Sequence, residues 1–76
     1  MNDKKRKLLD QAVTYLELAS DLVEDVRDDE QDCFDNLPEG LQAAERGEAM
    51  EAAVEALDSA IDSIRDAAES IGEARG

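Results

Sequence analysis

The sequence predicts an all-α fold: an antiparallel two-helix hairpin with heptad patterning, pairing into a four-helix-bundle homodimer. Three observations predict it. One proline, Pro38, separates two long segments whose apolar residues recur at heptad spacing. Aromatic residues are only 3% of the chain, Tyr15 and Phe34, so burial falls to Leu, Ile, Val and Ala, which suit helices packed along their length. Finally, 76 residues make one domain with a marginal core that buries roughly 60% of the unfolded chain's surface. Such a chain gains more by associating than by enclosing a deep substrate cavity.

The first helix is expected over about 4–33. Asn2 or Asp3 can cap it. Lys4, Lys5, Arg6 and Lys7 form a basic head whose charges oppose the positive end of the helix, so residues 1–7 are expected to be partly frayed and the hairpin domain to run from 8 to 76. With Leu9 as heptad position a, positions a and d hold Leu9, Ala12, Leu16, Ala19, Val23, Val26, Glu30 and Cys33. Position g adds Leu8, Tyr15 and Leu22, giving a stripe wider than a two-stranded seam needs.

The corner is expected over 34–38. Leu37 precedes proline and is pushed out of the α region, which places Pro38 near the start of the next helix. Asn36 and Glu39 have the spacing of a capping box, a reading that differs by one residue in where the helix begins. Phe34, Leu37 and Leu41 are the natural plug for this end of the hairpin.

The second helix is expected over about 38–74. Position a holds Ala43, Met50, Leu57, Ile64 and Ile71, d holds Arg46, Ala53, Ala60, Ala67 and Ala74, and e holds Gly47, Val54, Ile61 and Ala68. The alanines form a small-residue ridge for close approach of a neighbouring helix. Gly47, costing about 1 kcal/mol relative to Ala in a helix interior, marks either a crossing contact or a break between about 46 and 48; the continuous helix is the preferred reading. Helices of about 28 and 35 residues would run about 40 and 50 Å, and so short a corner requires them to be antiparallel. The residues expected to drive self-association are Leu9, Leu16, Val23, Met50, Ala53, Leu57, Ala60, Ile64, Ala67 and Ile71.

The net charge is −13, and beyond the basic head only Arg27, Arg46, Arg65 and Arg75 offset the carboxylates. That sign excludes direct nucleic-acid or anionic-lipid binding by the body and favours a basic partner, although solubility alone accounts for an acidic surface too. Catalysis finds no foothold. Histidine is absent, the serines have no patterned base, and Cys33 at an apolar position reads as a small buried residue near the corner. Asp28, Glu30 and Asp32 alternate like the opening of a calcium loop, but the required glycine and closing glutamate are missing. No catalytic, metal or cofactor site is expected. Asp10 and Gln11 interrupt any apolar run after the head, no segment reaches membrane-span length, and the single cysteine excludes an internal disulfide, so the expected compartment is the cytoplasm. Glu48, Glu51, Glu55, Asp58, Asp62, Asp66, Glu69 and Glu73 recur every three or four residues as one acidic stripe, with a charge every ~5 Å. DNA carries one phosphate per ~3.4 Å of each strand. The stripe is either a solvated face or a mimic of nucleic acid.

Glu30-Gln31, Phe34-Asp35-Asn36-Leu37-Pro38-Glu39, Gln42, Glu45, Gly47-Glu48 and Glu51, followed by alanine-rich heptads, resemble a widespread set of short acidic proteins encoded in phages, prophages and related mobile elements of Gram-positive bacteria. The likeness spans roughly residues 24–71 and leaves out the first twenty residues and Cys33. It implies a setting in a bacterial host, where such proteins bind and block host machinery, including defence systems. It also allows an oligomeric sponge for a nucleotide signal, held by Asn36, the amides around Pro38–Gly40 and Arg46 or Arg27, or a purely structural, virion-associated role. The resemblance marks Phe34, Asp35, Asn36, Leu37, Pro38, Glu39 and Gln42 as candidate partner-binding residues at the corner. The expected function is non-enzymatic binding to a basic host protein.

Overall fold

The computed structural model describes residues 1–76 as three helices in order: α1 (Asp3–Asp35), α2 (Glu39–Gln42) and α3 (Glu45–Arg75). Cα extents of 58 × 15 × 12 Å describe a narrow rod. Ion pairs between Asp10 and Arg75, Glu24 and Arg65, and Arg27 and Asp58 fix α1 and α3 as antiparallel neighbours. The all-helical hairpin follows from the apolar periodicity of the two long segments and from the one break between them.

α1 begins where expected: the Asn2 side-chain oxygen accepts from the Lys5 backbone N–H at 2.9 Å. The basic head is continuous with the helix from Asp3 onward, and Arg6 lies 3.8 Å from Asp3. At its far end α1 extends to Asp35, and Asn36 is its C-cap, donating its N–H to the Asp32 carbonyl at 3.0 Å.

The second half departs from the continuous helix expected over 38–74. α2 is a single turn, the chain leaves helical hydrogen bonding at Ala43–Ala44, and α3 starts at Glu45. The break therefore falls three residues before Gly47. The reason lies at Gly47 itself, which is buried in the first turn of α3. A Cβ built there would lie 2.6 Å from the Leu41 carbonyl oxygen and closer still to that of Gln42. The glycine is thus a crossing contact, where the backbone of α2 folds down onto α3.

The seam between α1 and α3 is centred on positions a and e of both helices, which corrects the expected a/d/g stripe. On α1 the covered or half-covered residues include Leu9, Val13, Leu16, Ser20, Val23, Arg27, Glu30 and Phe34; on α3 they include Gly47, Met50, Val54, Leu57, Ile61, Ile64, Ala68 and Ile71. Only Val54 and Ile61 are buried apolar side chains, at 7% and 3% exposure. The alanine ridge is not the core: Ala53, Ala67 and Ala74 are exposed and Ala60 sits at the margin. Two helices give each other one contact surface, so a wider apolar stripe must leave part of itself outside.

Candidate functional site

The corner is held by a side chain other than the one expected to cap it. The Gln42 amide nitrogen donates to the Phe34 carbonyl at 3.2 Å and to the Leu37 carbonyl at 3.1 Å, tying α2 to the end of α1; the Phe34 carbonyl also accepts from the Leu37 N–H at 3.0 Å, so it is the Leu37 carbonyl that depends on Gln42. The Asn36–Glu39 capping box does not form. The residue preceding α2 is Pro38, with φ −55° and ψ 144°, and no side chain caps that turn. Instead the Pro38 carbonyl accepts from the Leu41 and Gln42 N–H groups at 2.8 and 3.1 Å. Of the expected plug, Phe34 and Leu37 are half-buried while Leu41 is 51% exposed. Asp35 accepts from the Gln31 amide at 3.0 Å; Asn36, Pro38 and Glu39 are exposed. The conspicuous polar residue of the motif, Gln42, is thereby accounted for by folding. Cys33 is exposed, not buried, because position d lies off the seam.

The rod has two faces of opposite character. The three ion pairs between the long helices involve positions b and e: Arg27 lies 3.2 Å from Asp58 and 3.4 Å from Asp28, and Arg65 and Arg75 meet Glu24 and Asp10. Since Glu24 and Arg65 are both at position b, the b and f flanks of α1 and α3 share one face. On it lie Asp10, Glu17, Asp21, Glu24 and Asp28 from α1, and Glu48, Glu51, Glu55, Asp58, Asp62 and Glu69 from α3. Asp66 and Glu73 continue the row at its outer edge, and all the α3 carboxylates of the stripe are exposed. Midway, Leu16, Ser20, Ile64 and Ala68 floor a cleft of about 190 Å³ rimmed by Glu17, Asp21, Glu24 and Arg65. Three carboxylates against one guanidinium make it hostile to anions. Arg27 is committed to aspartates, and Arg46, at an exposed d position, is on another flank, so the arginines do not converge as a phosphate site would need.

The opposite face carries the d and g flanks of both helices. It contributes Leu8, Tyr15, Leu22 and Val26 from α1, 57–67% exposed, beside exposed Ala49, Ala53, Ala56 and Ala67 of α3. The residues expected to drive self-association therefore divide. Leu9, Leu16, Val23, Met50, Leu57, Ile64 and Ile71 face the protomer's own seam, whereas Ala53 and Ala67 lie on the open face and Ala60 between the two. Val13, Ser20 and Arg27 complete the seam, a place the sequence reading assigns to none of them. Their positions could have been found only by following the e series Arg6, Val13, Ser20, Arg27, Phe34, whose mixed chemistry hides its periodicity.

Asp28, Glu30 and Asp32 sit on continuous helix, and no group of three or more His, Cys, Asp or Glu side chains is placed to hold a metal ion. No helix is long and apolar enough to cross a membrane. No family model, curated protein or solved structure matches this chain.

Proposed function

We propose that this chain is a non-enzymatic, phage-type binding protein: a homodimeric helical hairpin, forming a four-helix bundle, that captures a basic protein of its bacterial host in the cytoplasm. The observation that carries this reading is the collection of carboxylates from both long helices on one face. Helix axes packed about 8–10 Å apart place the two acidic rows side by side. Along α3 the charges recur every ~5 Å, a linear density of the same order as the phosphates of one DNA strand. A rigid rod of this kind suits a basic groove that otherwise holds nucleic acid, and its charge repels nucleic acid itself. The anti-defence role implied by the family resemblance is one instance of such capture. A nucleotide sponge gains no support from the separated arginines.

Affinity capture from a host lysate, read by mass spectrometry, tests the proposal. A basic protein should be retained, released by salt or a polyanion competitor, and lost when Glu55, Asp62 and Glu69 are changed together to Lys. None of the three makes an ion pair, so helix content should survive the change. Capture that is indifferent to both charge reversal and polyanion would refute the acidic face as the binding surface.

A further inference from the structure

The exposed apolar residues of α1 form an ordered series, not a scatter. Positions d and g hold, in sequence, Lys5, Leu8, Ala12, Tyr15, Ala19, Leu22, Val26 and Asp29. The large members are 57–67% exposed in the protomer. Read backwards against itself, with residue numbers in each pair summing to 34, the series matches layer by layer. Leu8 meets Val26, Ala12 meets Leu22, and Tyr15 meets Ala19, so a large side chain faces a small one in the two central layers. Lys5 meets Asp29 at each end. Antiparallel coiled coils pair their two core positions in this alternating way, and a 3–4 spacing such as that of d and g supplies it.

We propose that a second copy of this chain occupies this face, with α1 packed antiparallel on the partner's α1 about a two-fold axis that crosses the d/g face between Tyr15 and Ala19, at the level of residue 17. This rests on the homodimer proposed above and specifies its surface and register. Leu18, 55% exposed, then sits beside the axis and is covered as well. The surface is self-complementary, as an isologous interface must be. The accessible area supports one such contact. The protomer exposes 5499 Å², whereas a compact chain of 8.3 kDa would expose roughly 4,600 Å². The excess of roughly 900 Å² is close to the ~800 Å² that each partner buries in an interface of standard size. Charge selects the direction. The antiparallel arrangement sets the basic head of each copy beside the partner's acidic run at Asp28, Asp29, Glu30 and Asp32. The parallel arrangement would put like charges together at both ends. α1 would thus use a and e for its own α3 and d and g for its twin, leaving the acidic faces outward on both sides of the dimer.

Disulfide trapping tests the register on the full chain with Cys33→Ser as background. Leu8→Cys and Val26→Cys are made separately, and each protein is oxidised alone and then mixed with the other. The expected result is a covalent dimer in the mixture and little in either protein alone. Cross-linking of one variant with itself, or none in the mixture, would overturn the register. Light scattering on the wild type separates this from the broader reading: a mass of two chains without the mixed cross-link retains the dimer and removes this surface, while a mass of one chain removes both. Leu22→Asp should give single-chain mass with helical circular dichroism retained, since Leu22 is 67% exposed in the protomer. Dimerisation unaffected by Leu22→Asp would count against the proposal equally.

Discussion

Gly47→Ala is the sharpest probe of how the second half of the chain folds, because two descriptions of it predict opposite signs. In a continuous helix, replacing an interior glycine by alanine stabilises by about 1 kcal/mol. In the structure, the new Cβ would come within 2.6 Å of both the Leu41 carbonyl oxygen and the Gln42 carbonyl carbon, against the 3.4–4 Å of ordinary contact. These are backbone atoms and cannot rotate away. α2 must retreat by about 1 Å, a strain of the kind that costs 1–3 kcal/mol in a packed site. The retreat also pulls Gln42 from the Phe34 and Leu37 carbonyls, two bonds each contributing about 1 kcal/mol net. Set against the gain in helix propensity of about 1 kcal/mol, the net loss is about 3 kcal/mol, or about 15 °C in Tm for a chain of this size. Urea unfolding followed by circular dichroism, at one fixed chain concentration so that association does not confound the comparison, measures it. A variant as stable as the parent, or more stable by about 1 kcal/mol, would refute the crossing contact and restore the continuous helix.

Two further outcomes separate the corner and the seam. Gln42→Ala should cost about 1–2 kcal/mol by leaving the Leu37 carbonyl without a donor and removing one of the two bonds to the Phe34 carbonyl, while Asn36→Ala should stay within about 0.5 kcal/mol because only its backbone takes part in the C-cap; equal losses in urea unfolding would contradict that assignment. Ile61→Ala, at the most buried apolar position, should cost about 2–4 kcal/mol, and a cost below about 1 kcal/mol would show that the seam does not run along a and e.

The hairpin itself was legible because Pro38 and the apolar periodicity act locally, and so was Asn2 as the cap of α1, since a cap needs only the side chain and the next turn. The acidic stripe of α3 was legible for the same reason: helical spacing alone sets its residues on one side. The corner was harder. Asn36 and Glu39 have the capping spacing, and finding Gln42 in their place depends on where α1 ends and how α2 folds back against it. That is a matter of three-dimensional placement, not of spacing.

The sequence by itself determined that two long amphipathic helices would form, that a break would separate them, and that α1 carried more apolar surface than one neighbour could cover. Only the tertiary structure decided which part of that surface goes inside. The heptad pattern is nearly symmetric about position a, with d and g on one side and e on the other, and hydrophobicity favoured d and g. The choice of e follows from bringing α3 against Ser20 at a close approach, from Arg27 and Arg65 bridging the acidic flanks, and from the Gly47 crossing that sets how α3 enters the seam. These are pairwise terms between residues far apart in the chain. No local reading contains them, and they are what leave one face of the rod acidic and the other apolar.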